Sequence, residues 1–320
     1  MKTTTLKRTT LRLPTELHRQ LRVTAAEQRT TSEAILVEAV RRELERRNAT
    51  PRRLIEIPSA MNSLLAELLI QSMPTFALIK DRRARIVWVN AFFEKALQSP
   101  LSQVVGVTIT EAGLIEGIQK ETIDENVRQA LKDKRPMMSV EGMVLKGLGS
   151  VTARTQRFVF GDGFLGDISF VENDIKTRHF DTDRDVVSRM QRTLLDRNVS
   201  GLLVPFLEAA PLSIAVKKPV GGDSMILWAN SEYLRLTRAK KIEHVIGRTT
   251  REVFRLPPAH AILSNEADVA ESGRALMAKE ALPSRQPRWS LRFPIFDAHG
   301  SVALLGVVSP DFQPNTATRF

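Results

Sequence analysis

The 320-residue sequence predicts an α+β multidomain protein, and three observations point there. The first fifty or so residues hold a period-two strand, two short helical patterns and most of the surplus positive charge. The rest of the chain repeats itself at a spacing of 137 to 141 residues. Each repeat reads as two strands, several helices and three more strands, the order of a five-stranded antiparallel sheet with flanking helices.

The amino-terminal strand is Arg8-Thr9-Thr10-Leu11-Arg12-Leu13, with Arg8, Thr10 and Arg12 on one face and Thr9, Leu11 and Leu13 on the other. Pro14 ends it, because proline has no N–H for the ladder. A helix opens near Thr15 and Glu16 with Leu17, Leu21 and Ala25 four apart on one face. Thr30-Thr31-Ser32-Glu33 forms a capping box for a second helix, with Thr30 as N-cap and Glu33 at the third helical position. That helix carries Ile35, Leu36, Ala39, Val40 and Leu44. One strand and two short helices bury too little surface to fold alone. Two copies that pair their strands and interlock their helices would suffice, so a homodimer is expected. Its core would hold Leu11, Leu13, Leu17, Leu21, Ile35, Val40 and Leu44.

This segment, about residues 5–48, resembles the ribbon-helix-helix family of bacterial repressors that includes the Arc and methionine repressors. The resemblance implies an antiparallel ribbon in the major groove of double-stranded DNA, a docking mode known for that family. It places Arg8, Thr10 and Arg12 against base edges, where arginine can give paired hydrogen bonds to guanine. The backbone amides at Thr30, Thr31 and Ser32 would hold a phosphate. Glu33 is read as part of the cap, since its charge would repel the DNA backbone.

Charge agrees with that placement. The chain has 47 Lys and Arg against 36 Asp and Glu, a net charge of +11. Residues 1–53 account for +7 of it, and the other 267 residues are nearly balanced. A basic end of this kind suits a polyanion. There is no cysteine, which excludes disulfides, thiolate metal sites, cysteine nucleophiles and any flavin photochemistry that forms a cysteine adduct. No apolar run approaches the ~18 residues of a membrane span, and no signal-type segment opens the chain, so a cytoplasmic location is expected.

The repeat stands on four landmarks. Pro74 to Lys80 matches Pro211 to Lys217, Ile86 to Asn90 matches Ile226 to Asn230, Val105-Gly106 matches Ile246-Gly247, and Gly166 matches Gly306. In each copy the second strand ends in Trp-x-Asn, and Asn90 and Asn230 suit the cap of the following helix. Longer helices are expected at 121–131 and 266–277, and closing strands at 137–145, 152–160 and 164–171, then 279–282, 289–295 and 303–308. The proline before the first strand, the asparagine after the second, the glycine after the short helices and the turn Asp297 to Gly300 resemble the PAS domain family. That resemblance implies two sensory or dimerising domains.

The expected layout is a DNA-binding domain at 1–53, a first PAS-like domain with its leading helix at 58–173, a helical linker at 174–207, a second PAS-like domain at 208–312 and a tail at 313–320. The linker's apolar stripe, Val186 to Leu207, either pairs with its twin across a dimer or packs on its own sheet. Gly201 could break it.

PAS resemblance allows haem, flavin, a small metabolite or no cofactor, and none is required for DNA binding. Candidate pocket residues are Trp88, Trp228 and His260. His260 is the histidine best placed as a haem ligand, though it reads first as a helix-entry or surface residue. The tryptophans read first as core. No metal motif and no catalytic motif is present, and Asp181, Asp183 and Asp185 fit an acidic helix start better than a calcium loop. The expected function is that of a homodimeric, sequence-specific transcriptional regulator, not an enzyme, with a second dimer adding on adjacent sites. The alternative is a PAS-based interaction scaffold with weak, non-specific DNA affinity.

Overall fold

The computed structural model describes Val23 and residues 59–98, 101–113, 120–145, 149–171, 179–180, 197–257, 260–282, 287–297 and 299–310. The chain divides into two compact units, Met1–Arg53 and Leu54–Phe320. The expected ribbon, its helices and every residue assigned to DNA contact or to the dimer core lie outside the described residues.

In the second unit the first element is α1 (Ser59–Ser72), a helix with apolar residues on nearly every side. Such a helix must be covered all round. Strands β1 (Phe76–Lys80) and β2 (Ile86–Val89) follow, then short helices α2 (Ala91–Leu97) and α3 (Leu101–Val104) and the longer α4 (Lys120–Asp133). Strands β3 (Met137–Leu145), β4 (Gly149–Phe160) and β5 (Phe164–Val171) close the first repeat. All pairings are antiparallel, and the sheet order is β2-β1-β5-β4-β3.

A two-residue strand, β6 (His179–Phe180), precedes α5 (Arg197–Ala209). The second repeat then runs through β7 (Leu212–Val220), β8 (Asp223–Ala229), α6 (Ser231–Thr237), α7 (Thr250–Phe254), α8 (Ala261–Ser272), β9 (Ala275–Glu280), β10 (Arg288–Phe296) and β11 (Val302–Pro310). Its sheet order is β6-β9-β10-β11-β7-β8. Without β6 the two sheets have one topology, and it makes both halves PAS-like domains.

Three expectations need correction. The helix placed at 266–277 ends at Ser272, because Gly273 takes a left-handed φ of +65° that stops it. The strand expected from Lys279 therefore begins at Ala275. The second sheet has six strands, since β6, from the segment read as helical, adds to the edge at β9. Gly201 does not interrupt α5.

The leading helices are exchanged between the halves. Although α1 belongs by sequence to the first repeat, it contacts β10 of the second sheet; α5, which leads the second repeat, contacts β4 of the first. The two helices also contact each other. One continuous core results, with Leu65, Leu69 and Ile70 of α1, Leu203, Phe206 and Leu207 of α5, and the outer faces of both sheets. The landmark glycines make the close approach. A Cβ on Gly166 would lie 2.7 Å from both Phe158 and Phe206, and one on Gly306 would lie 2.9 Å from Leu69 and closer still to the Phe293 ring.

Asn90 and Asn230 tie each repeat together. Asn90 Oδ1 accepts from Ala77 N at 3.1 Å and Phe93 N at 3.2 Å, while Nδ2 donates to the carbonyls of Ile70, Met73 and Thr75. Asn230 Oδ1 accepts from Ile214 N and Tyr233 N, and its Nδ2 donates to Leu207 O and Leu212 O. One amide thus caps a helix, pins a strand and fixes the end of the exchanged helix. No described helix is long and apolar enough to cross a membrane.

Candidate functional site

On the inner face of each sheet, under the short helices, lies a buried charged cluster that the alternation of the strands does not lead one to expect. In the first copy Lys80 Nζ donates to Asp167 Oδ2 at 2.7 Å, and Arg157 pairs with Glu141 at 2.6 Å through Nη1 and 2.8 Å through Nη2. Thr155 and Ser169 share a hydrogen bond of 2.9 Å, and Asn126 donates to Glu141 from α4. In the second copy Lys217 Nζ donates to Glu266 at 2.5 Å and to Thr250 at 2.9 Å. Arg292 pairs with Glu280 at 2.5 Å, Ser309 bonds Ser290 at 3.0 Å, and Asn265 donates to Glu280.

The pairings match position by position: Lys80 with Lys217, Arg157 with Arg292, Glu141 with Glu280, Thr155 with Ser290, Ser169 with Ser309 and Asn126 with Asn265. Both lysines sit where the register shifts, between Ile79 and Lys80 and between Val216 and Lys217. A bulge re-aims the side chain that follows it. Here it keeps each lysine under the helices.

The copies then diverge in a systematic way. Asp167 on β5 becomes Val307 on β11, and its role as partner of the lysine passes to Glu266 on α8, where the first copy has Val127. Phe93 becomes Tyr233, Ile109 becomes Thr250 and Ala153 becomes Arg288. The first cluster has two cations and two carboxylates. The second has three cations, Lys217, Arg288 and Arg292, with two carboxylates, Glu266 and Glu280.

A cavity of about 380 Å³, counted with the part open to solvent, adjoins the second cluster. Lys217, Tyr233, Arg288, Ser290, Arg292 and Ser309 give its polar lining, and Leu236, Phe254, Ile262, Leu282 and Val307 its apolar lining. Tyr233 is 2 % exposed and its Oη has no hydrogen-bond partner. Arg292 is also 2 % exposed, and its Nε, 3.8 Å from Glu266 Oε1, has none either. Burial pushes the Tyr233 hydroxyl above its ordinary pKa, so it is a neutral donor at physiological pH. Burial would also raise the Glu266 carboxyl, but the Lys217 and Arg292 charges reverse that and hold it below the carboxylate range. Burial would lower the Lys217 pKa, and Glu266 more than restores it. The site is therefore ionised, dry and preorganised, with hydrogen-bonding capacity left over.

The residues singled out from sequence lie elsewhere. Trp88 and Trp228 belong to the core on the opposite face of their sheets, against the exchanged helices, and so line no ligand cavity. An even-numbered step along β2 or β8 separates them from the inner face. His260 caps α8, its Nδ1 accepting from Ile262 N at 3.2 Å, and does not line the cavity. Among the described residues no group of His, Asp and Glu could hold a metal ion. What sequence reasoning missed was the lysine within the Pro74–Lys80 and Pro211–Lys217 match. A charged residue repeated at the end of an apolar strand was the available signal.

No protein family model matches the sequence, and no curated protein matches it. Several solved structures overlap it in part. The PAS domain of the RpfR quorum-sensing receptor of Cronobacter turicensis, in complex with BDSF, is 15 % identical over 32 % of this chain and 96 % of that one, with a TM-score of 0.28. The PAS domain of an HTR-like protein from Haloarcula marismortui is 19 % identical over 35 % and 93 %, with a TM-score of 0.29. An RNA-binding light-oxygen-voltage receptor is 12 % identical over 74 % and 94 %, with a TM-score of 0.28. The order of strands and helices, not these overlaps, is what makes the two halves PAS-like.

Proposed function

We propose that the chain is a homodimeric, sequence-specific DNA-binding transcriptional regulator whose PAS-like body biases the binding of its amino-terminal ribbon. The observation that carries this reading is the ordered run of basic strand, Pro14, helix and capping box in residues 8–33, in a unit separate from the PAS-like body. The regulator acts without catalysis of its own.

The exchanged helix supports a route for regulation. Ser290 and Arg292 of β10 face the cavity, while Leu291 and Phe293 of the same strand join the core that holds α1. By sequence, α1 is also the first described helix after the basic unit. A molecule bound in the second domain would thus act on β10 and, through it, on the helix nearest in sequence to the DNA-binding residues. It would change DNA affinity only by the difference in its own affinity for the two arrangements.

Selection of bound sequences from random duplex DNA, followed by titration of the full chain, tests the reading. A defined operator is expected, and Arg12→Ala should cost about 1–3 kcal/mol and relax one position of it. Equal affinity for all sequences with a steep salt dependence would replace it with the scaffold alternative.

A further inference from the structure

We infer that the cavity of the second PAS-like domain binds a small organic carboxylate, and that the matching place in the first domain does not. The inference deepens the regulatory reading above but is measured without DNA.

The internal repeat supplies the control. Both domains keep the same buried lysine, arginine, glutamate, hydroxyl pair and asparagine, so those groups belong to the common architecture. Only the second domain adds groups beyond it. Tyr233 brings a hydroxyl with no partner where the first domain has Phe93, and Arg288 brings a cation where the first has Ala153. Val307 removes the carboxylate that Asp167 places on the first sheet. Moving the lysine's partner to Glu266 on α8 clears the sheet surface beneath the cavity.

These changes have one direction. They turn a neutral, internally paired cluster into one with a surplus cation and donors, Tyr233 Oη and Arg292 Nε, both buried and without partners. An unsatisfied buried donor costs about 1–3 kcal/mol, which an acceptor from a ligand recovers. A carboxylate accepts from several such donors at once and neutralises the extra charge. The apolar side chains Leu236, Phe254, Ile262 and Leu282 on the other walls suit a short hydrocarbon or aromatic body.

The experiment is thermal melting and calorimetric titration of the full chain with benzoate and with hexanoate, against benzamide and inorganic phosphate. A rise in Tm with at least one of the two carboxylates, absent with benzamide and phosphate, is expected. Tyr233→Phe and Arg288→Ala install the residues that the first domain already accommodates, so both variants should fold. Each should weaken carboxylate binding at least tenfold. No response to either carboxylate, an equal response to benzamide or to phosphate, or full binding in both variants would overturn the inference. DNA selection by the same preparation is scored separately, so loss of the ligand leaves the DNA-binding reading standing, and the reverse.

Discussion

Two buried side chains carry most of the residue-scale logic. Asn230 satisfies two backbone N–H groups and two carbonyls from three elements. Asn230→Ala should therefore destabilise the body by about 3 kcal/mol, read from urea unfolding, because each orphaned buried group costs about 1–3 kcal/mol. Glu67 behaves differently. It lies on α1, is 1 % exposed, and its Oε1 has no partner, so burial pushes its pKa from 4.5 to about 7. The folded chain keeps this proton after the unfolded chain has released it. The stability it permits is complete below about pH 4.5 and is lost as pH rises through about 7. Glu67→Gln should flatten that decline in melts recorded between pH 4.5 and 7.5. The asparagines were legible in sequence because they end a repeated Trp-x-Asn. The buried Lys80, Lys217, Arg157 and Arg292 were not, because in an alternating strand a charge reads as the solvent face, and only the helices above show that this face is covered.

At the scale of elements, the exchange of α1 and α5 rests on two glycines. Gly306→Ala places a methyl group against Phe293 and Leu69 and should cost about 1–3 kcal/mol, measured by denaturant unfolding. Gly166→Ala should do the same through Phe158 and Phe206. Sequence marked both positions as repeat landmarks without revealing that the helix above each one leads the other repeat. Local pattern cannot report which sheet a helix covers, since either outer face is equally apolar. The overlong helix at 266–277 had a simpler cause. Ala275, Leu276 and Met277 extend an apolar pattern, and only the left-handed Gly273 separates helix from strand.

For the whole molecule, the division into two units leads to a clean separation of effects. Leu11→Asp, on the inward face of the proposed ribbon, should abolish operator binding and the dimer that depends on it, while the thermal transition of residues 54–320 stays where it is. Sedimentation and gel-shift titration of that variant check both parts. The tandem architecture was readable because its landmarks recur at nearly constant spacing. The division of labour between the domains was not, because it lies in a handful of exchanges, among them Asp167 with Val307 and Val127 with Glu266, that preserve the fold while moving one carboxylate from sheet to helix.

The exchanged helices also set an order in time. On the ribosome α1 emerges long before β10, the strand it covers, and the outer face of β4 waits for α5. At about 5–20 residues per second, the interval between α1 and β10 is on the order of tens of seconds. During that interval the nascent chain carries an apolar helix with no sheet to receive it. Neither half can finish first, and a chain cut short before β10 would leave the earliest helix of the body uncovered.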